Sequence, residues 1–420
     1  MKSRLNIAVI GAGASGMTAA ITAAKNGADV TLFEKNDRVG KKILATGNGK
    51  WNLGNIKLSV EQYYCREKEK LNDWFSVFST QDTISFFNSM GLMIKDKNGY
   101  LYPYSEQASS VLDILRMELD RSGVRTVTGV KIVDAVYQAQ KKSFQLTDME
   151  GKTYFYQKVI ITCGSPASQK RGEGMTGYEI AKKLGHKIYK LAPGLVQLRS
   201  DEKFIKALSG VRCQAGVQLL INGQIETGEI GEVQFTEYGV SGIPIFQISR
   251  MAAYALEEGK QVSVLIDFFP GKEEKEFLST NKIRYNSMMD KSVEDYLTGT
   301  LNKKINMVML KQAGLKPDMK AQEAGWKKIW ELMRKCRSFV IHINSANPIE
   351  NAQVCAGGVD LKQVDAGLQS RLVKSLYFAG EILDVDGKCG GYNLQWAWTS
   401  GYVAGMNAAG FSTKEKAEGQ

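Results

Sequence analysis

The sequence predicts an α/β protein, a doubly wound sheet split by an inserted β-rich domain and a small helical domain. Three observations carry this. Strand, glycine turn, helix and strand follow one another within about 30 residues at the start of the chain, the first unit of a parallel sheet. The middle of the chain changes to short β-type runs between glycine turns, then to a Lys-, Glu-, Met- and Leu-rich stretch at helical spacing. From about Ala352 onward the strand and glycine punctuation of the start returns.

Taken in order, Asn6 to Ile10 is an apolar run that stops at Gly11, Met17 to Asn26 is alanine-rich at helical spacing, and Val30 to Phe33 reads as the second strand. Leu71 to Met90 and Ser110 to Ser122 read as amphipathic helices, and Arg125 to Val136, Ser143 to Thr147 and Val159 to Thr162 as short strands. Leu195 to Asp267 reads as β-rich, with Gly216 to Ile221, Val233 to Phe235 and Val262 to Ile266 as its clearest runs. Lys272 to Lys335 is helical, Phe339 to Ile343 is a strand, and Asn393 to Asn407 is the last helix. The expected domains are 1–192 with 352–420, a β-rich insert of 193–268 with 336–351, and a helical cap of 269–335.

Composition narrows the function. A chain of 420 residues exceeds one ordinary core, and 43% hydrophobic with 24% charged residues is an ordinary globular balance. No run approaches the roughly 18 apolar residues of a spanning helix, and glycines stand where a signal peptide carries its apolar core, so the expectation is a cytoplasmic protein with no membrane partner. The six cysteines form no C-x-x-C pair, which argues against a zinc site, a redox dithiol or a disulfide framework, and no metal is expected. A formal charge of +11 can attract anions, but the lysines are dispersed, which reads as a solvated surface and predicts no stable nucleic-acid partner.

The strongest motif is Gly11-Ala12-Gly13-Ala14-Ser15-Gly16, which follows a strand and opens a helix, with Glu34 at the end of the second strand, 34 − 11 = 23 residues beyond the first glycine. Gly11 permits the tight turn, Gly13 lets backbone approach a pyrophosphate, and Gly16 lets helix pack on sheet. Phosphate then meets the free N–H groups of a helix N-terminus. Glu34 accepts from the ribose hydroxyls of an adenosine and repels a 2′-phosphate.

FAD and NAD both use such a turn. The loop Gly40 to Asn55, dense in glycine, asparagine and lysine, can serve a long ligand leaving the first site. Near the end, a strand stops at Ala379, the acids Glu381, Asp384 and Asp386 follow, and Gly390-Gly391 opens the last helix. That order offers a carboxylate to ribityl hydroxyls and helix N–H groups to a flavin edge that turns anionic on reduction.

The Gly11 to Glu34 unit, the Gly47-Asn48-Gly49-Lys50-x-Asn52 loop, Ala356-Gly357-Gly358-Val359 and the Gly380 to Gln395 stretch together resemble the BaiN-like family of bacterial flavoproteins, which is also similar to aminoacetone oxidase. The resemblance implies FAD and a split Rossmann-like FAD-binding domain of the glutathione-reductase type. It implies that Asn48, Gly49, Lys50 and Asn52 surround the flavin with Gly391, Tyr392, Asn393 and Leu394. It extends the expected cofactor contacts to Ala14, Ser15, Lys35, Lys42, Thr46, Gly47, Val130, Gly164, Gly380, Glu381 and Asp386. Trp51 stands where the family usually carries cysteine.

With one nucleotide fingerprint present, a built-in nicotinamide domain is disfavoured, and electrons can come from NADH or NADPH visiting the flavin or from the organic substrate itself. The expected reaction is hydride transfer between flavin N5 and a small organic substrate, as in reduction of a steroid- or bile-acid-like enone. An amine oxidase and a nucleic-acid-modifying flavoenzyme stand as alternatives. Gly99 to Ser105 holds Tyr100, Tyr102 and Tyr104, and Tyr102 and Tyr392 are the candidate catalytic residues, able to hold a carbonyl oxygen or deliver a proton. His186 reads as a helix-end residue with no catalytic role.

Overall fold

The computed structural model describes residues 4–44 and 52–411. The chain forms two compact units, one of residues up to Ala192 with those from Ile349 onward, the other Pro193–Pro348.

The first unit is built on strand β1 (Asn6–Ile10), helix α1 (Ala14–Lys25) and strand β2 (Asp29–Phe33). Ile7 to Ile10 are all apolar and buried, which suits a strand covered on both faces. The parallel sheet runs Leu376–Phe378, Lys158–Ile161, β1, β2, Arg125–Val127. A strand more than 200 positions beyond its neighbour thus completes a sheet begun near residue 6.

Helix α1 is buried continuously from Ser15 to Ala23, because one face meets the sheet and another meets the C-terminal helix Tyr392–Ala408. The approach of the two helices requires glycine. A β-carbon at Gly401 would lie 2.5 Å from the Ser15 carbonyl oxygen, and one at Gly405 would lie 2.6 Å from that of Ala19. Ser15 faces 401 and Ala19 faces 405, so the helices run in the same direction. Trp396 donates to the Gly380 carbonyl at 3.2 Å, and Ser400 Oγ accepts from the Gly380 N–H at 2.8 Å, which fastens the end of the Leu376–Phe378 strand to this helix.

Two sequence expectations divide in the structure. Leu71 to Met90 is two helices, Lys70–Val77 and Thr80–Ser89, because Ser79 starts the second with a capping box: Asp82 N–H donates to Ser79 Oγ, and Ser79 N–H donates to the Asp82 carboxylate. Arg125 to Val136 is two strands in different sheets, Arg125–Val127 in the parallel sheet and Ile132–Gln138 in an antiparallel meander with Ser143–Asp148 and Thr153–Tyr156. Gly129, at φ +73°, turns the chain between them.

The second unit is a seven-stranded antiparallel sheet, including the long hairpin Arg212–Ile221 and Gln224–Thr236. Its strands share one apolar core with the helices Glu274–Ser287, Val293–Leu297, Lys303–Gln312 and Ala321–Lys335, through residues such as Val217, Phe339, Phe277, Tyr296 and Leu332. The β-rich reading missed the helix Ile243–Glu257, whose signals are Pro244 in the first turn and the alanine pattern at 252, 253 and 255. Among the described residues no helix is long and apolar enough to cross a membrane.

His186 is 3% exposed, beyond the C-terminus of helix Thr176–Lys183. Its Nδ1 lies 3.2 Å from the Ala181 carbonyl and its Nε2 lies 2.8 Å from Ser370 Oγ. Ser370 Oγ already accepts from the N–H groups of Leu372 and Val373, so its own proton goes to an unprotonated Nε2. Burial holds the imidazole below its ordinary value of 6.5, against the weaker opposing pull of the Ala181 carbonyl. The unfolded chain then binds the extra proton first as pH falls. Its stabilisation is complete above pH 6.5 and is lost as the pH drops through the lower folded value. Urea midpoints measured between neutral and mildly acidic pH should fall, and His186→Gln should flatten that slope.

Candidate functional site

The glycine turn joins the end of β1 to the start of α1. Gly11 has φ +106°, and a β-carbon there would lie 2.6 Å from the Thr162 carbonyl oxygen. A β-carbon at Gly16 would collide with the Gly11 carbonyl oxygen and the Thr162 side chain. Gly13 behaves differently: a β-carbon there meets no atom within 4 Å. Gly11 and Gly16 are therefore required by the protein's own packing, while Gly13 borders open space at a helix N-terminus. That terminus has no side-chain cap and no acid in its first turn, so the N–H groups near Ala14 and Ser15 keep their donor capacity for an anion.

Glu34, 8% exposed, sits beside this turn. One carboxylate oxygen accepts from the Ala12 N–H at 2.9 Å and the other from the Asn36 N–H at 2.9 Å and from its side-chain amide. The oxygen that accepts from Ala12 has a further lone pair for a ribose hydroxyl, while the two bonds from Asn36 fill the other. The Val130 N–H donates to the Glu34 carbonyl, which brings Val130 to the same place. Lys35 points to a neighbouring segment, with Nζ 2.7 Å from both Gln169 Oε1 and Glu173 Oε2. Burial, with the Glu34 charge next, pushes the Cys163 thiol up to about 12, so it is no thiolate.

Further along, Lys42 Nζ lies 2.6 Å from Glu381 Oε2, while Glu381 Oε1 accepts from the Cys355 N–H at 2.9 Å. Gly164, at φ +67°, faces this carboxylate. Asp386 is buried in a two-residue bridge with Tyr64. Asp384, 1% exposed, is clasped by Arg66 through both oxygens.

The turn Gly390-Gly391 opens the C-terminal helix. Gly391 is the N-cap at φ +92°, and among the described residues there is again no side-chain cap and no first-turn acid, which leaves the N–H groups of Tyr392, Asn393 and Leu394 with donor capacity. The Asn393 amide is committed to the protein: it accepts from the Gly387 N–H and donates to the Gly387 carbonyl, both at 2.7 Å. What Asn393 retains for a ligand is its backbone. A β-carbon at Gly391 would lie 2.6 Å from Asn52 Oδ1, and Asn55 Nδ2 donates to the Gly390 carbonyl at 3.2 Å. Asn55, the last residue of the loop read as serving a long ligand, thus spends its amide on supporting the turn. Thr46, Gly47, Asn48, Gly49, Lys50 and Trp51 lie outside the described residues.

The two helix ends are offset along a shared direction. Ser15 packs at Gly401, nine residues beyond the start of the C-terminal helix at Tyr392, or about 14 Å at 1.5 Å per residue. One anion-binding end sits at the glycine turn and a second lies farther along, a spacing that a dinucleotide spans.

A family model for the HI0933-like protein Rossmann domain matches residues 5–407. The chain belongs to that family. It is 40% identical over 410 residues to a 3-dehydro-bile acid delta(4,6)-reductase of Clostridium scindens, covering 96% of this chain and 98% of that protein. It is 28% identical over 405 residues to a ribosomal RNA dihydrouridine synthase of Haemophilus influenzae, covering 95% of this chain and 97% of the relative. Among solved structures, a 3-ketosteroid delta1-dehydrogenase from Sterolibacterium denitrificans aligns with TM-score 0.52 at 11% identity, over 96% of this chain and 99% of that one, a likeness of fold.

This member of the family is an FAD-dependent oxidoreductase, and its fold is the split Rossmann-like arrangement expected from the motifs. The open space at Gly13, the uncapped helix ends and the buried Glu34 carboxylate beside the glycine turn fit FAD. Gly13→Val should leave the apoprotein folded while abolishing FAD retention, since only the ligand needs that space. Gly16→Ala should lower stability itself by about 3 kcal/mol or more, because backbone must move. Thermal melts of FAD-stripped protein, paired with flavin absorbance of the purified variants, distinguish the two losses.

Proposed function

We propose that the chain reduces a carbon–carbon double bond conjugated with a carbonyl in a ring substrate, a steroid-type enone being the first candidate and NADH or NADPH the electron donor. The observation that carries this reading is 40% identity along 96% of the chain with a bile-acid delta(4,6)-reductase. Bound FAD supplies hydride from its N5 atom. The bare N-terminus at Gly391 offers N–H groups to the flavin edge that gains negative charge on reduction. Tyr102 and Tyr392 supply neutral phenols, because burial, with Tyr100 next, pushes both above the ordinary tyrosine value. A neutral phenol can donate to a carbonyl oxygen or protonate the carbon next to it. Free cysteines at all six positions support a reducing, cytoplasmic setting.

A second reading is reduction of uridine in RNA. Two observations favour it: 28% identity over 95% of the chain with a ribosomal RNA dihydrouridine synthase, and the formal charge of +11. The chemistry is shared, since uridine also carries a ring double bond conjugated with a carbonyl.

An anaerobic two-step mixing experiment tests these readings. Protein reduced by NADH or NADPH is offered a 3-oxo-Δ4 steroid or a uridine-rich RNA, and oxidised protein is offered aminoacetone. Flavin reoxidation by the steroid, with two hydrogens gained by the product, is the expected result. Reoxidation by RNA alone favours the second reading. Failure of both, with aminoacetone instead reducing the oxidised flavin, contradicts the proposal.

A further inference from the structure

Two phenols, Tyr100 and Tyr392, meet at the turn that opens the C-terminal helix, and a third, Tyr102, follows two residues along the strand of Tyr100. The strand Tyr100–Pro103 pairs antiparallel with Gly54–Asn55 and with Ile94–Lys97, so Tyr100 and Tyr102 share one face while Leu101, 2% exposed, points into the core. Gly390 lies between two of the rings: a β-carbon there would be 3.2 Å from Tyr100 Cε1 and 3.2 Å from Tyr392 Cε2. Tyr392 is 7% exposed and packs edge-on against Tyr63, with centroids 5.9 Å apart, so its ring is part of the wall. Tyr100 is 39% exposed. Among the described residues none hydrogen-bonds the Tyr100 hydroxyl.

We infer that Tyr100, rather than Tyr102 or Tyr392, is the hydrogen-bond donor that holds the carbonyl oxygen of the substrate. The inference rests on the enone-reductase reading and names the residue that orients the enone. Of the three phenols, Tyr100 alone is both in contact with the cofactor-facing turn and open to an incoming molecule. The reaction adds two hydrogens. Hydride from the reduced flavin, itself reduced by a nicotinamide, forms the new C–H bond at the β-carbon as the π bond breaks. The electron pair moves toward the carbonyl oxygen, and a proton from water completes the α-carbon. Tyr100 keeps its proton and shares it with that oxygen, whose negative charge grows in the transition state toward the enolate, where a fixed donor counts more than in the ground state.

The test uses the FAD-loaded, oxidised protein with androst-4-ene-3,17-dione as the probe and no reductant, so that nothing turns over. A donor on the enone oxygen lowers the C3 carbonyl stretch in the infrared difference spectrum. The band of the bound steroid should be lowered in the wild type and in Tyr102→Phe, and should return toward the free value in Tyr100→Phe with FAD content unchanged. Fluorotyrosine at position 100, a stronger acid, should lower the band further. Under turnover Tyr100→Phe should lose about 10²-fold in kcat, the size of one oxyanion donor. An identical carbonyl band in wild type and Tyr100→Phe overturns the inference while leaving the enone reading intact. Loss of FAD from Tyr100→Phe makes the residue structural and also overturns it. A steroid that binds none of the proteins defeats the substrate reading, and this inference with it.

Discussion

Helix α1 and the helix Tyr392–Ala408 touch backbone to backbone, and the placement of both glycine-turn helix ends depends on that contact. Gly401 and Gly405 remove the side chains that would hold the helices apart, and the Ser15 and Ala19 carbonyls occupy the space. Any larger residue at these glycines forces the helices to separate, at a cost of about 1–3 kcal/mol or more for each overpacked position. The contact also sets geometry. Because the helices share direction and register, the distance between their N-termini is fixed by residue count rather than by flexible loops. A ligand that uses both ends is therefore measured by the protein before it arrives.

Electrostatics follow from the same arrangement. Among the described residues each helix end has no side-chain cap and no carboxylate in its first turn, so partial positive charge is concentrated there. The acids nearby are held elsewhere: Glu34 by Ala12 and Asn36, Glu381 by Lys42 and the Cys355 N–H, Asp384 by Arg66. These bonds hold the carboxylates on protein donors rather than against the helix ends. The neighbouring thiols of Cys163 and Cys355 are kept protonated by burial, which removes them as competing nucleophiles.

Much of this was legible in the sequence because it is local. The β1–turn–α1–β2 unit announces itself by spacing, since tight turn, phosphate approach and helix packing each demand glycine within six residues. The Gly390-Gly391 turn was legible for the same reason. What escaped reading depends on partners distant in the chain. Ser79 splits one apolar stretch into two helices through a bond pattern that competes with helix continuation. Helix Ile243–Glu257 is apolar on the scale of its β neighbours, so periodicity gave way to the surrounding strands. The Asn393 amide is spent on Gly387, and Asn55 supports Gly390 across 335 positions, neither of which any local pattern encodes. Tyr100 and Tyr102 are indistinguishable by composition, and only the position of Gly390 separates them.

The measurement that tests the account most directly is a crystal structure of the yellow, FAD-bound protein. The pyrophosphate oxygens should accept hydrogen bonds from the backbone at Gly13 to Ser15, and the pyrimidine edge of the flavin should face the N–H groups of Gly391 to Leu394. A flavin ring bound away from the start of the C-terminal helix, with the pyrophosphate off the glycine turn, would contradict the claim that these two helix ends together make the cofactor site.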